Sequence, residues 1–390
     1  MVQNNKKERS EKGIGNKTIN DVESLLIKKV INSRHLFRFS ESIYNSFSFK
    51  FEKKVGKMYD DSNCLLFPSA TLALLSFLKF LKLPKDSEVI ISPLGWVANY
   101  SVLRLEGLKI IFTPLDSDLN MDPKEIEKKI TKKTKIIITA HLFGRKQKYI
   151  NKISRIAKKN SIYLVEDIAQ SFGVGTSGSM PGTYGDFAYC SLNRFKIISS
   201  GDGGFALTKN KKIFHGIQAM HDQGCIIENG KRKIPNNPTE GLSMRVNELT
   251  AAVAYAQVMK FSYIKKQVQK AYREVREIIR DLIKVDEINP EKGDIPYFYL
   301  FRSEEIKKEK HPPLLKSGWH YAGNIPYLKK EFNKQKRGDK KLAETEKILS
   351  ETFSVGSGLI QEYLSTPIGL SINFDNKEKK IFIKNFKKII

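Results

Sequence analysis

The chain of 390 residues predicts an α/β fold: a mostly parallel sheet flanked by helices, followed by a smaller C-terminal α+β domain. Three observations predict it. From about residue 50 onward apolar strands alternate with helix-like segments, and four short β-branched runs separated in this way give the rhythm of a parallel sheet with helical crossovers. After about residue 209 that rhythm gives way to a polar loop, a long helical stretch, and then a mixture of short strands and helices. With 40% hydrophobic and 10% aromatic residues the chain can fill a large core, and its length suits one large domain plus a smaller one.

In chain order, residues 1 to about 20 read as a flexible polar tail, part of a lead-in segment that ends at residue 50. The opening MVQNNKKERSEKGIGNK lacks the apolar core a signal peptide needs, so a cytoplasmic protein is expected. The large domain is expected at 51–255. Its most apolar window, CLLFPSATLALLSFLKFLKL, is interrupted by Pro68, Ser69 and Lys79, too early for the ~20 apolar residues of a membrane span. It reads instead as a short turn, Ser69-Ala70-Thr71, opening an apolar helix. SEVIISP, KIIFTPL, KIIITAHL and IYLVEDIA read as strands, with helices in NYSVLRLEG, DPKEIEKKI and KYINKISRIAKKN between them. FAYCSL and GFALTKN are two more strands, on either side of a turn that carries Lys196. NGKRKIPNNPTEG is a polar loop. NELTAAVAYAQVMKFSYIKKQVQKAYREVREIIRDLI is a long helical stretch, and 256–390 form the linking helix and small domain.

Charge and cysteines narrow the function classes. Sixty-eight Lys and Arg against 42 Asp and Glu give a net charge of +26. The lysines are spread along the whole chain, often as pairs such as Lys132-Lys133 and Lys158-Lys159, and no basic stripe interleaves with aromatics. A solvated surface, not a nucleic-acid footprint, is expected. Cys64, Cys190 and Cys225 lie far apart without a CxxC pair, so neither a disulfide framework nor a zinc site is indicated.

Three features would meet at the carboxyl ends of the parallel strands, where open α/β sheets collect ligands. The helix start at Ser69-Ala70-Thr71 offers unpaired N–H groups and a positive dipole end that suit a phosphate, although Ser and Thr also cap helices for purely structural reasons. The strand of IYLVED ends in Glu166-Asp167. A carboxylate there commonly caps the next turn, or it can hold a proton on the ring nitrogen of an electron-sink cofactor. Lys196 stands five residues after Ser191 and just before the tight turn Gly201-Asp202-Gly203-Gly204. It is either one more solvated lysine or an enclosed amine whose lowered pKa makes it a nucleophile. A further pattern, GVGTSG at Gly173–Gly178, fits G-x-G-x-x-G, but Ser179-Met180-Pro181-Gly182 follows and opens no helix. The dinucleotide reading therefore fails, and a loop near the cofactor pocket is expected.

In this order, the helix start, the aspartate and the lysine before Gly-x-Gly-Gly resemble the layout of a fold type I pyridoxal phosphate enzyme. More narrowly, the chain resembles the DegT/DnrJ/EryC1/StrS group of sugar aminotransferases over roughly residues 33 to 275 and more weakly to the end. The resemblance is carried by FPSATLALLSFLKFLKLPKDSEVIISP, GWVANYSVLRLEG, AHLFG, VEDIAQSFG, YGDFAYCSLNRFKIISSGDGGFALT and GLSMRVNELTAAVAYAQV. It implies that Lys196 forms the Schiff base with pyridoxal 5′-phosphate and that Asp167 pairs with the pyridine nitrogen. Gln170 would touch the ring or its hydroxyl, and Ala70, Thr71 and Ser191 would hold the phosphate. Trp96 matches the aromatic that stacks on the ring, whereas the residue pattern alone makes it a core residue. Asn193 and Ser243 complete the implied cofactor-binding set. Asn193 stands where several members place a histidine or other polar group, and the shorter Ser243 stands where many have an asparagine reaching the neighbouring subunit's phosphate. Gln223 replaces a frequent histidine.

The resemblance further implies a homodimer with active sites at its interface. The implied activity is amino transfer, with glutamate as donor, to an anionic keto sugar in surface polysaccharide or lipopolysaccharide synthesis. RHLFRFSES, SSGDGG and MHDQG look closer to the branch acting on eight-carbon keto sugar acids, while nucleotide-linked 4-keto or 3-keto hexoses are the other class. Nucleic acid and membrane insertion are not expected. Two rivals are a sugar dehydratase and a non-catalytic protein that keeps only the fold. Dehydratases of the group replace the lysine by histidine, and this chain keeps Lys196.

Overall fold

A computed structural model describes residues 13–39, 42–236, 238–358 and 368–390. Residues 1–12 of the expected tail lie outside them. From residue 13 onward the tail reading is corrected: Ile14 is fully buried in helix α1 (Ile14–Thr18), and helix α2 (Asp21–Ser33) begins in a capping box of Asn20 and Glu23. One isoleucine in a polar stretch gives no periodicity, so the sequence alone conceals this anchor.

Helix α3 (Phe47–Met58) leads into a sheet of seven strands: β1 (Asn63–Phe67), β2 (Glu88–Ile91), β3 (Lys109–Phe112), β4 (Thr134–Ala140), β5 (Tyr163–Asp167), β6 (Phe187–Ser191) and β7 (Gly204–Thr208). Their spatial order is β1-β7-β6-β5-β4-β2-β3. The run from β3 to β6 is parallel, and β7 is antiparallel to both β6 and β1. The direction of β7 follows from its connection. Residues 192–203 return directly from Ser191 to its partner Gly204, without the helical crossover that a parallel neighbour requires. Strand β1 was not among the expected strands, because its apolar run merges with that of the next helix and periodicity cannot separate the two.

Helices α4 (Ala70–Leu81), α5 (Val97–Leu105), α6 (Pro123–Lys129), α7 (Ile150–Lys159) and α8 (Lys211–His221) flank the sheet. An exposed hairpin, β8 (Ile226–Glu228) with β9 (Lys231–Lys233), follows. The long helical stretch is two helices, α9 (Glu248–Met259) and α10 (Phe261–Leu282), broken at Lys260 with φ −89° and ψ 2°. The Lys260 ammonium is held by the Thr18 carbonyl at 2.6 Å and by Glu23 at 2.7 Å. The expected domain division after residue 255 falls inside α9, and the chain turns only at Lys260.

Beyond it, β10 (Asp286–Glu287), β11 (Phe298–Arg302), β12 (Thr352–Gly358) and β13 (Gly369–Ser371) form a second sheet, antiparallel except for the β12–β13 pair. Its core packs Tyr299, Phe301, Phe353 and Val355 against Val275 and Ile279 of α10 and Phe382 and Phe386 of the last helix. Helix α13 (Asn376–Phe386) belongs to this second core, whereas α11 (Pro326–Arg337) and α12 (Lys340–Glu351) pack Leu328, Phe332, Leu342 and Leu349 into the core of the seven-stranded sheet. Among the described residues no helix is long and apolar enough to cross a membrane.

Candidate active site

Successive side chains of a strand point to opposite faces, so the two carboxylates ending β5 go separate ways. Glu166 is fully buried and accepts hydrogen bonds from the N–H groups of Gly182 (2.8 Å), Tyr184 (2.8 Å) and Gly185 (2.7 Å). His141 Nε2 lies 2.9 Å from it. The other ring nitrogen, Nδ1, accepts the Gln147 N–H at 3.0 Å, which leaves the proton on Nε2 to be donated to Glu166. Among the described residues, Asp167 accepts hydrogen bonds from Asn99 Nδ2 (2.8 Å) and the Ala169 N–H (3.0 Å). It lines a cavity of about 240 Å³.

Eight of the nine expected site residues line that cavity: Ala70, Thr71, Trp96, Asp167, Gln170, Ser191, Asn193 and Lys196. The ninth, Ser243, does not. It is exposed, and its backbone forms an isolated antiparallel bridge with Asp222. Trp96 is 38% exposed, which corrects its reading as a core residue. GVGTSG is a loop, as expected, but none of it lines the cavity. Its glycines donate instead to the Tyr59 hydroxyl (Gly173), the Gly293 carbonyl (Gly175) and the Asp60 carboxylate (Gly178).

Each wall has a local cause. At the start of α4, Ser69 Oγ accepts the Leu72 N–H at 3.2 Å, while the N–H groups of Ala70 and Thr71 have no partner among the described residues. Strand β7 begins directly against this helix start. A Cβ added to Gly204 would lie 2.2 Å from the Ala70 nitrogen, so only glycine fits the last position of Gly201-Asp202-Gly203-Gly204. The Lys196 turn is closed by the N–H of Leu192 on the Gly203 carbonyl (2.9 Å), of Arg194 on Gly201 (3.0 Å) and of Lys196 on Asn193 (2.9 Å). Ser191 Oγ accepts the Asn193 N–H at 3.2 Å. Gln170 Oε1 accepts the Phe143 N–H at 2.9 Å, so this side chain also ties down the AHLFG loop.

The electrostatics suit an amine kept ready to react. Burial pushes the Lys196 amine below its ordinary pKa, with Asp167 and then Cys190 pulling the other way. Burial, and then the charge of Lys196, takes His320 down to about 3. Burial, followed by the Asp167 charge, raises the Tyr189 phenol well above its ordinary value.

The sequence reading missed a second wall, made by Tyr297, Phe298 and His320 from the C-terminal part of the chain. The His320 ring lies 4.9 Å from that of Trp96, and its carbonyl accepts the Gly95 N–H at 2.9 Å. No local signal points to His320. Asn99 and Tyr189 could have been found: Asn99 is a polar residue at the start of the helix that Trp96 opens, and Tyr189 shares a strand face with Ser191. A larger groove of about 690 Å³ between α4, α8, Pro235 and residues 239–242 contains none of the expected residues. Its charges are paired, as Lys79 with Glu106 (3.1 Å) and Lys82 with Glu240 (3.6 Å).

Two unpaired N–H groups beside a serine, a carboxylate with spare acceptor capacity, an exposed indole face and a buried amine together fit a flat phosphorylated heteroaromatic aldehyde. The DegT/DnrJ/EryC1/StrS aminotransferase family model matches residues 38–359. The chain belongs to this family. Members are pyridoxal phosphate-dependent aminotransferases, and pyridoxal 5′-phosphate is the cofactor here. GDP-perosamine synthase of Escherichia coli O157:H7 is 26% identical over 67% of this chain and 71% of its own length. Matches to the next three curated relatives span 58%, 61% and 45% of their lengths. In fold, the chain is similar to Helicobacter pylori PseC, an aminotransferase involved in the biosynthesis of pseudoaminic acid. The TM-score is 0.77 at 18% identity, covering 98% of this chain and 99% of that one. It is also similar to E. coli GDP-4-keto-6-deoxy-D-mannose-3-dehydratase with bound hydrated pyridoxal phosphate, at TM-score 0.73 and 19% identity over 96% and 98% of the two chains.

Proposed function

We propose that this family member transfers an amino group from glutamate to an anionic keto sugar, nucleotide-linked or a sugar acid, in the making of surface polysaccharide or lipopolysaccharide. The observation that carries the proposal is the placement of Lys196 and Asp167 in one cavity with the start of α4. In this reading Ala70, Thr71 and Ser191 hold the cofactor's phosphate, Trp96 covers its ring, and Gln170 and Asn193 flank it. Bound pyridoxal phosphate supplies an electron sink into which the charge left on a deprotonated carbon drains. Asp167 keeps a proton on the ring nitrogen, which deepens that sink. Lys196, freed when the donor's amine takes its place on the cofactor, would take the proton from the donor's α-carbon and return it at the cofactor's C4′. The same lysine runs those steps in reverse on the sugar, so glutamate leaves as 2-oxoglutarate and the ketone leaves as an amine. Lysine at this position favours amino transfer over dehydration.

The volume supports a division of the substrate. About 240 Å³ is below the ~300–1,000 Å³ of sites that enclose drug-sized ligands. It suits the cofactor ring and the reacting sugar carbon, with the rest of a large substrate outside. A homodimer in the cytoplasm completes the reading, and the net charge of +26 would speed capture of an anionic sugar at low salt. The test is a panel of nucleotide-linked 4-keto and 3-keto hexoses and keto sugar acids incubated with nitrogen-labelled glutamate, with products read by mass spectrometry. Label in an amino sugar is the expected result. Transfer only to pyruvate or oxaloacetate would remove the sugar assignment and leave amino transfer standing.

A further inference from the structure

Helix α1 lies against the turn that carries Lys196, and two glycines let it do so. A Cβ on Gly13 would stand 2.6 Å from the Arg194 carbonyl oxygen, and one on Gly15 would stand 2.1 Å from the Ser199 Cβ. Ser199 is the buckle of the turn: its hydroxyl donates to the Leu192 carbonyl (3.1 Å) and accepts the Gly201 N–H (2.9 Å). A second link runs through Gln257 of α9. Its Oε1 is within hydrogen-bond distance of both the buried Thr18 hydroxyl (2.9 Å) and the Ser199 N–H (3.4 Å), while its Nε2 donates to Glu23 at 2.7 Å.

The other side of the same short segment meets the small domain. Ile14 is fully buried and stands 3.6 Å from where a Cβ of Gly358, at the end of β12, would be. Asn373 Nδ2 lies 3.5 Å from the Lys17 carbonyl. Residues 13–18 are therefore wedged between the Lys196 turn and one edge of the small sheet.

We propose that residues 13–18 are a strap that holds the Lys196 turn in place against the small domain, with Gly15 and Thr18 as positioning residues for Lys196. This rests on Lys196 being the point of cofactor attachment, which borohydride trapping on the parent protein tests independently. Loosening the strap lets the turn relax and admits water to the amine. A solvated amine keeps its proton to higher pH, and only the neutral amine can attach the cofactor. The groups that face Lys196, among them Asp167, Cys190 and His320, are left unchanged by substitutions in the strap.

The experiment loads the full-length protein with pyridoxal phosphate and compares Gly15→Ala, which drives a methyl into Ser199, and Thr18→Val, which deletes the hydroxyl, with Lys17→Ala on the exposed side of the same helix. Two quantities are read without sugar or donor: the rate at which visible absorption is lost on dilution, and the pH at which that absorption is half-maximal. For Gly15→Ala and Thr18→Val the loss should be about tenfold faster, equal to about 1.4 kcal/mol. The half-point should rise by roughly half a pH unit, less than a full desolvation shift. Lys17→Ala should match the parent. If Gly15→Ala does not fold, Thr18→Val decides. A folded Thr18→Val with the parent's loss rate and half-point overturns the proposal, even if its melting temperature has dropped.

Discussion

Glu166 and Asp167 are neighbours in sequence, end the same strand and are both carboxylates out of bulk solvent, yet the two faces of β5 use them in opposite ways. Glu166 has four donors: three backbone N–H groups of residues 182–185 and the His141 ring. Among the described residues Asp167 has two donors, and a cavity lies in front of it. A buried carboxylate offers about four lone-pair sites, so Glu166 is saturated and Asp167 is not. Saturation marks a structural fastening, and spare capacity beside a cavity marks a binding site.

The contrast is broken most severely at Lys196. Lys196→Ala should lose borohydride-trappable cofactor and lower turnover by at least about 10⁴-fold, the upper end of what one acid–base group supplies. Trapping that persists at another lysine would move the active site elsewhere. On β5 the two faces should respond oppositely. Asp167→Asn should bind cofactor and unfold near the parent's denaturant midpoint while turnover falls about 10²–10³-fold, through loss of the electron sink. Glu166→Gln keeps the shape but turns an acceptor into a donor facing N–H groups. Roughly 3 kcal/mol of stability should go, as when one partner of a buried charged network is removed, while the folded fraction keeps its turnover per molecule. Equal losses of stability in the two variants would erase the distinction.

Much of this was legible in the sequence, for reasons that differ by element. Strands β2 to β5 are bounded runs that carry Val or Ile, β6 and β7 are short apolar runs on either side of the Lys196 turn, and the helix start, Asp167 and Lys196 are local features whose order is informative. Strand β1 was hidden because Leu65, Leu66 and Phe67 run straight into the apolar α4. The break at Lys260 was hidden because its cause is tertiary, an ammonium held by Thr18 and Glu23 more than 230 positions earlier. His320 and Tyr297 reach the cavity only when the second domain packs against the first. The separate fates of Glu166 and Asp167 follow from strand alternation, but which face carries the cavity does not.

Histidines sharpen the comparison on a smaller scale. His141, on the Glu166 side, has both nitrogens engaged, whereas His311 donates Nε2–H to the Ser354 carbonyl (3.0 Å) and its buried Nδ1 has no partner among the described residues. Burial lowers His311 to about 4 from 6.5. Because the folded value lies below the unfolded one, the unfolded chain takes up this proton first as pH falls. The stability from a neutral His311 is therefore complete above about pH 6.5, declines below it, and is lost by about pH 4. Between about pH 7.5 and about pH 5 the loss should be about 2 kcal/mol for this residue. Urea midpoints at the two pH values, for the parent and for His311→Gln, should differ by that much less in the variant. The same pH dependence in both would exclude His311 as a source.

The smallest expected effect lies outside the cavity. Ser243 is exposed and sits on a segment clamped by Asp222, whose carboxylate takes Arg232 at 2.7 and 3.1 Å and Arg245 as well. A clamped arm beside the exposed β8–β9 hairpin is rigid enough to present a side chain outward, and nothing in its own subunit's cavity requires it. If a second copy docks there, the residue faces an anion it is too short to reach, and Ser243→Asn lengthens it by an amide. A hydrogen bond to a charged group is worth about 1.5–3 kcal/mol. Ordering an added amide side chain costs about 0.5–1.5 kcal/mol. The surplus of roughly 1 kcal/mol should tighten pyridoxal phosphate binding about fivefold. The gain should also vanish on dilution to the point where sedimentation shows monomer, because the anion would belong to the other subunit. A gain that survives in the monomer would place Ser243 beside its own cofactor, against the geometry. No gain at any concentration would mean that this arm does not reach a phosphate.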